Sequence, residues 1–267
     1  MATPTRRRGA FAALPVALLA GVLLAGLAPT PVAAAITTNE ARIVKWINAD
    51  RVALGLRPLR GWGKLHKIAD YRAGRMAATN TMSHSVAGSL SKQLAARGVK
   101  AWSWGEDIGA SSYPKGIEAA KSIYRLWKQS APHWALITSR RFNYVGIGLA
   151  YRSSNGKTFA SLVFTESPDH TGARARITDA GVKNRDVTWR WRGWDVVLQT
   201  HTAGFANFDV QYRVDRGTWR TIRSRTTTTS FTASDRAGGH WYGLRVRGRD
   251  RAGNVGKWTG ETRIWVR

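Results

Sequence analysis

Two histidines and one glutamate have side chains that could move protons or hold a metal. His84 lies in the segment MSHS, Glu106 in GEDIG and His133 in SAPHW. Imidazoles titrate near neutral pH and a carboxylate can act as a base, so the three could exchange protons with a substrate. Imidazoles also ligate divalent cations such as zinc. The separations of 22 and 27 residues match no short metal motif, so a structural role, in which each side chain ties loops together by hydrogen bonds, stays open.

Composition narrows the classes of protein and partner. The 267 residues include 42 Lys and Arg, 16 Asp and Glu, and no Cys. The lack of cysteine excludes disulfides, thiolate metal sites and cysteine nucleophiles. The net charge of +26 is spread along the chain without a recognisable reading element, so we do not expect nucleic acid as a partner. Diffuse positive charge instead favours an anionic cell-wall polymer, glycan or lipid.

The N-terminus predicts export. Three arginines at positions 6–8 precede an apolar stretch over about residues 11–27, and three alanines at 33–35 offer a cleavage site. This arrangement is typical of a secretory signal peptide, residues 1–35. No later stretch is long enough to span a membrane. We therefore expect a secreted, extracellular protein, with cell-wall association and both the general and the twin-arginine export routes left open.

The spacing of apolar residues changes along the chain, and this places the candidate residues. Leu65, Ile68, Ala69, Arg72 and Met76 recur at helical spacing, which predicts a one-faced helix ending just before His84. Further helices are expected around residues 43–47 and 117–127, the second one leading to His133. Glu106 is expected in a loop. Alternating residues at 145–151 and 159–166, joined by an Asn-Gly turn, predict an antiparallel hairpin.

The C-terminal third has the pattern of a β-sandwich. Short strand-like runs at 194–200, 208–214, 219–223 and 241–247 are separated by Gly, Asp and Asn turns. In the last run, arginines alternate with apolar residues, so one face is expected to be buried and the other charged. Helices followed by a hairpin and then by strands alone predict an α+β chain with a second, all-β part.

The first part resembles the CAP superfamily of cysteine-rich secretory proteins, venom allergens and plant pathogenesis-related proteins, in its cysteine-free bacterial (SCP-like) branch. The resemblance rests on segments that occur in the family's order, namely NADR, GL and PL at residues 48–59, SHS at 83–85, GEDI at 105–108, Trp127 with Ser130 and His133, and YVGIG at 144–148. It implies an α-β-α sandwich whose cleft gathers His84, Glu106 and His133. Ser130 stands where many members have a second Glu, and Asp107 where Asn is usual, so the resemblance implies no complete catalytic tetrad.

The second part resembles a fibronectin type III or related immunoglobulin-like module. The matching residues are Trp194, the segment WYGLRV at 241–246 and the turn DRAGN before Trp258. Tyr242 is placed where a tyrosine corner is expected. Trp189 and Trp191 alternate with arginines and share one face of a strand, so they could stack on a glycan ligand, pack against the first part of the chain or cover the sandwich core.

We therefore expect residues 1–35 to be a signal peptide, 36–169 a CAP domain, 170–186 a linker and 187–267 a fibronectin type III-like β-sandwich that acts as an adhesive or spacing module. The favoured function is binding of a lipid, glycan or peptide at the cell envelope. The alternative is a hydrolase in which His84 and His133 polarise water, directly or through a metal such as zinc, with Glu106 as base. The candidate cleft residues are His84, Glu106, Ser130 and His133.

Overall fold

Residues 36–267, the part of the chain that the computed structural model describes, begin with helices and strands that alternate up to residue 166. The predicted signal peptide lies outside the described residues. The elements of this first part are α1 (Thr38–Ala53), β1 (Arg60–Gly61), α2 (Gly63–Thr79), α3 (Leu90–Ala96), β2 (Ser103–Ser111), α4 (Ile117–Gln129), α5 (Ala131–Ile137), β3 (Tyr144–Arg152) and β4 (Lys157–Glu166).

The four strands of this part form one sheet in the order β1-β3-β4-β2. The pairs β3–β4 and β2–β4 are antiparallel, and β1 runs parallel to β3. Alternate residues of β3 and β4 pack against α2 and α3 on one face, and the intervening residues pack against α1, α4 and α5 on the other. The predicted α-β-α sandwich is confirmed.

The predicted helices and hairpin are present. Helix α1 begins with a capping box, in which Thr37 and Glu40 bond to each other's backbone.

One difference from the predicted elements concerns the site. Glu106, expected in a loop, instead lies in strand β2, which pairs with β4 along its whole length. This pairing fixes the face on which the carboxylate of Glu106 emerges.

The C-terminal part consists of strands alone, packed as two sheets. One sheet has the order β11-β10-β7-β8 and the other β5-β6-β9, and their inner faces share a core of Trp, Tyr, Phe and aliphatic residues. The strands are β5 (Arg174–Lys183), β6 (Asp186–Trp194), β7 (Phe205–Val214), β8 (Arg220–Thr226), β9 (Ser230–Ala233), β10 (His240–Asp250) and β11 (Thr262–Val266). The expected tyrosine corner is present, since the Tyr242 hydroxyl donates to the Ala237 carbonyl at 2.9 Å.

Two expectations for this part are wrong. The segment expected to be a linker, residues 170–186, contains strand β5. This strand pairs with β6 in antiparallel register, for example Val182 with Val187. No strand forms over 194–200, because β6 already ends at Trp194. The residues that follow form a loop that contacts the first part of the chain. Among residues 36–267, no helix has both the length and the apolar composition that crossing a membrane requires.

Candidate functional site

The carboxylate of Glu106 is held by three neighbouring side chains. Arg72 of α2 donates from Nε to Oε1 at 2.5 Å and from Nη2 to Oε2 at 2.7 Å. The hydroxyl of Ser161, on the adjacent strand β4, donates to Oε1 at 2.7 Å. His84 Nδ1 lies 2.8 Å from Oε2. Burial acts to raise the pKa of Glu106, but the hydrogen bonds from Arg72, His84 and Ser161 outweigh it and lower the pKa, so this side chain is a fixed anion at neutral pH.

Arg72 also positions the loop that carries His84. Its guanidinium donates to the backbone carbonyls of His84 at 2.6 Å and Gly88 at 2.9 Å. The side chain of Arg72 is only 3% exposed, whereas that of His84 is 60% exposed. One buried arginine thus joins Glu106, the loop and helix α2. Because Glu106 occupies Nδ1 of His84, the other ring nitrogen, Nε2, is the one available to a ligand.

His133 lies at the start of α5, close enough to His84 to be affected by its charge. The pKa of His133 is lowered first by burial and second by His84. Its Nδ1 atom is buried and has no hydrogen-bond partner among the described residues. Ser130 ends α4 and precedes α5, and its backbone rather than its side chain makes the hydrogen bonds found there. The structure therefore joins Glu106 to His84 directly and leaves His133 and Ser130 unbonded to that pair.

The imidazoles of His84 and His133 are the groups that would hold a zinc ion at this site. Glu106 supports His84 Nδ1, as carboxylates behind ligating histidines do, but both of its oxygens are already engaged. Among the described residues, the one group of three ligating side chains whose atoms all lie within 4.8 Å of one another is Asp169, Asp195 and Asp250, far along the chain from the histidines. A zinc ion bound through the two histidines would activate a coordinated water.

An open pocket of about 480 Å³ lies over this cluster. Its lining combines Arg72, His84 and Glu106 with Ser85, Ser89, Leu90 and Trp104. Trp104 is 47% exposed. The neighbouring Trp102 is 59% exposed and lies outside this pocket, where its ring contacts that of His201 in a tilted arrangement. Neither Arg72 nor Trp104 was among the predicted site residues. The signal for Arg72 was present, because an arginine interrupts the apolar stripe of a predicted helix.

The prediction that Trp189 and Trp191 bind a ligand is wrong. Their side chains are 0% and 2% exposed and belong to the sandwich core, where Trp189 stacks near Phe231. The indole nitrogen of Trp189 donates to the backbone carbonyl of Thr262 at 3.1 Å. The two tryptophans do share one face of β6, as expected, but that face is the buried one.

Comparison with known proteins assigns the first part. The model of the cysteine-rich secretory protein family, CAP, matches residues 39–165. No curated protein sequence matches the chain.

Several solved structures are similar to parts of the chain. An extracellular protein with an SCP domain from Bacillus anthracis is 21% identical with a TM-score of 0.42; the match covers 48% of this chain and 40% of that protein, so the chain spans less than half of its length. An outer surface protein from Borrelia burgdorferi is 17% identical with a TM-score of 0.42, covering 50% of this chain and 96% of that one. An Fn3-like protein from Clostridium thermocellum is 15% identical with a TM-score of 0.27, covering 37% and 96%.

The sequence segments, the α-β-α sandwich and the family match agree on the same part of the chain. Residues 39–165 therefore form a CAP domain of the cysteine-rich secretory protein family.

Proposed function

We propose that this protein is exported and binds a glycan of the cell envelope in the pocket at His84, without cleaving it. The secretory signal predicted over residues 1–35 and the net charge of +26 support a role outside the cell, next to anionic polymers. The fibronectin type III-like sandwich would serve as the adhesive or spacing module.

The observation that carries this proposal is that both carboxylate oxygens of Glu106 are fully engaged in hydrogen bonds. Both carboxylate oxygens accept hydrogen bonds, two from Arg72 and one each from His84 and Ser161, and the side chain is 5% exposed. A carboxylate with a lowered pKa and no free oxygen is a poor base for activating water. Its role in the proposal is to orient His84.

The remaining groups of the pocket suit a sugar. The apolar face of a pyranose ring can cover the exposed indole of Trp104, since Trp combines a large apolar surface with a polar edge. His84 Nε2 and the hydroxyls of Ser85 and Ser89 line the same pocket and can bond sugar hydroxyls. Few polar groups beside one aromatic platform are typical of a binding site for a small ligand.

The second candidate is a hydrolase, and one observation favours it. The bond between Glu106 and His84 Nδ1 leaves Nε2 free, which is the arrangement of a histidine that transfers protons. In this case His84 would act as the base on water, with His133 nearby and with or without zinc. Cleavage therefore requires His84, whereas binding of a sugar ring on Trp104 depends less on this histidine.

The test measures binding and cleavage in one sample. The chain without residues 1–35 is titrated calorimetrically with soluble peptidoglycan fragments, and the same samples are then examined for new reducing ends. We expect Trp104→Ala to weaken binding at least tenfold. Trp102→Ala, which removes a neighbouring and even more exposed indole outside the pocket, should change it less than twofold. Equal effects of the two variants, or no binding by the wild type, would contradict the proposal. New reducing ends that disappear in His84→Ala would establish the hydrolase instead.

A further inference from the structure

The outer face of the sheet β11-β10-β7-β8 carries an ordered row of arginines and tryptophans, which we call the arginine–tryptophan face. It arises because β10 alternates: Tyr242, Leu244 and Val246 are at most 3% exposed and point into the core, so the residues between them point outward. The face consists of Arg213, Trp219, Trp241, Arg245, Arg247, Arg249, Trp258, Arg263 and Trp265.

Five of these side chains form one continuous stack. The stack has the order Arg213, Trp219, Arg245, Trp258, Arg247. The guanidinium of Arg213 lies 4.5 Å from the ring centroid of Trp219, and that of Arg245 lies 4.3 Å from the same centroid. Arg245 is 4.9 Å and Arg247 4.5 Å from the Trp258 ring. Attraction between each cation and the electron-rich ring faces holds the guanidiniums in a fixed row along the sheet.

The positive charge of the row is only partly neutralised. Arg213 donates to both carboxylate oxygens of Glu261 at 3.0 and 2.5 Å. Asp209 accepts from Arg247 at 2.9 Å and from Arg249 at 3.2 Å. Arg245 has no carboxylate partner among residues 36–267, and its Nε and Nη2 both donate to the neutral Gln211 at 2.9 and 2.7 Å. The arginines of the face outnumber its two carboxylates, so the row retains a net positive charge that can attract an anionic ligand.

An exposed aromatic pair lies at one end of the row. Trp241 and Trp265 are direct partners across β10 and β11, with ring centroids 5.4 Å apart, and are 38% and 41% exposed. Arg263 lies 4.7 Å from the Trp241 ring. Trp219 and Trp258 each have two guanidiniums over their rings, whereas Trp241 has one and Trp265 has none among the described residues, so recognition of a ligand's ring falls to this exposed pair. From Trp241 to Arg249 the outward side chains extend over roughly 27 Å of strand.

We infer that the arginine–tryptophan face binds an anionic polysaccharide, with Trp241 and Trp265 against one sugar ring and Arg245, Arg247 and Arg263 at the acidic groups. An extended polymer with repeated negative charge complements a flat row of fixed cations. The exposed pair offers the flat apolar surface that a pyranose ring covers. The site is separate from the pocket at His84 and does not depend on the function proposed for that pocket.

The experiment uses polygalacturonate as the probe and its fully methyl-esterified form as the uncharged counterpart. Affinity of the chain without residues 1–35 is measured at several salt concentrations, with circular dichroism of each variant as a check of folding. The charge variant is Arg245→Gln with Arg263→Gln. Its matched control is Arg176→Gln with Arg190→Gln, which removes the same net charge from exposed positions on the other sheet.

We expect the charge variant to lose about tenfold in affinity and the control less than twofold. Trp265→Ala should also weaken binding, and the methyl ester should bind poorly. Equal losses in the charge variant and its control would show that only the diffuse net charge acts, and would overturn the inference. Stronger binding of a single-stranded DNA of equal charge, or loss of polygalacturonate binding in His84→Ala with no loss in the charge variant, would overturn it as well.

Discussion

Asp107, the residue next to Glu106, is a buried carboxyl group of the CAP domain. Because side chains alternate along β2, it emerges on the face opposite to Glu106, between Gly105 and Gly109, whose backbones approach Phe142 and Trp127. It is fully buried, and neither carboxylate oxygen has a hydrogen-bond partner among the described residues. Burial, and then repulsion by Glu106, raise the pKa of Asp107 to about 8.

Replacing Asp107 by Asn should stabilise the protein relative to the wild type, and this difference in the free energy of unfolding should grow as the pH rises. The folded chain keeps this acid protonated up to a pH of about 8, while the unfolded chain ionises it near pH 4. Unfolding thus releases a proton between these pH values, and stability falls as the pH rises through the window. Asn does not ionise, so Asp107→Asn should gain over the wild type by about 1 kcal/mol or more at pH 8, with a smaller gain at pH 5.

Urea denaturation at pH 5, 6.5 and 8 measures this difference. Asp179→Asn, which removes an exposed carboxylate of β5, is the control and should leave the pH profile unchanged. A constant difference between Asp107→Asn and the wild type across the three pH values would contradict the prediction.

At the scale of elements, helix α2 lies directly on strand β3 because two glycines leave room for it. A Cβ atom on Gly146 would collide with the backbone of Leu65 and His66, and one on Gly148 with the backbone of Asp70. These glycines belong to the segment YVGIG that supports the family resemblance. Their close approach places Arg72, two residues after Asp70, against Glu106.

Gly148→Ala should therefore destabilise the protein strongly, by about 2–3 kcal/mol, because α2 must move away from the sheet. Gly74→Ala is the matched change, since Gly74 lies inside α2 with nothing within 4 Å of the added atom. It should stabilise by about 0.5–1 kcal/mol, the difference in helix propensity between Ala and Gly. Thermal denaturation of both variants decides the matter, and similar melting temperatures would refute the packing argument.

At the scale of the whole molecule, the loop between β6 and β7 connects the sandwich to the CAP domain. Leu198 of this loop is 3% exposed and packs in a cluster with Leu65, Tyr144 and Val163 of the CAP domain. The amide of Arg57 donates to the side chain of Gln199 at 2.8 Å, so polar groups join the same junction. The two parts of the chain therefore share a region of core.

Leu198→Ala should destabilise the CAP domain by about 2–3 kcal/mol, because it leaves a cavity in that cluster. Val197→Ala is the control, since Val197 is 53% exposed and its truncation should cost less than about 0.5 kcal/mol.

We predict that a fragment of residues 36–169 folds alone, as its own pattern suggests, but with a lower melting temperature than the CAP domain in the longer chain. Identical stability of the fragment and the longer chain would contradict the shared core.

Local patterns in the sequence determined the element types and the order of the parts. Helical spacing around Leu65, the Asn-Gly hairpin and the alternation in β10 each depend on residues a few positions apart, so they are visible without a structure. The family segments likewise indicated His84 and Glu106 before any distance was known.

Only the tertiary structure decided which surfaces are buried and what each polar group meets. Alternation along β6 showed that Trp189 and Trp191 share a face, but packing of the second sheet made that face the core, while Trp241 and Trp265 became the exposed pair. The partners Arg72 and Glu106 are 34 residues apart, and Leu198 reaches a cluster that begins at Leu65. Such contacts depend on how sheets and helices stack, and a period of two or 3.6 residues carries no information about that stacking.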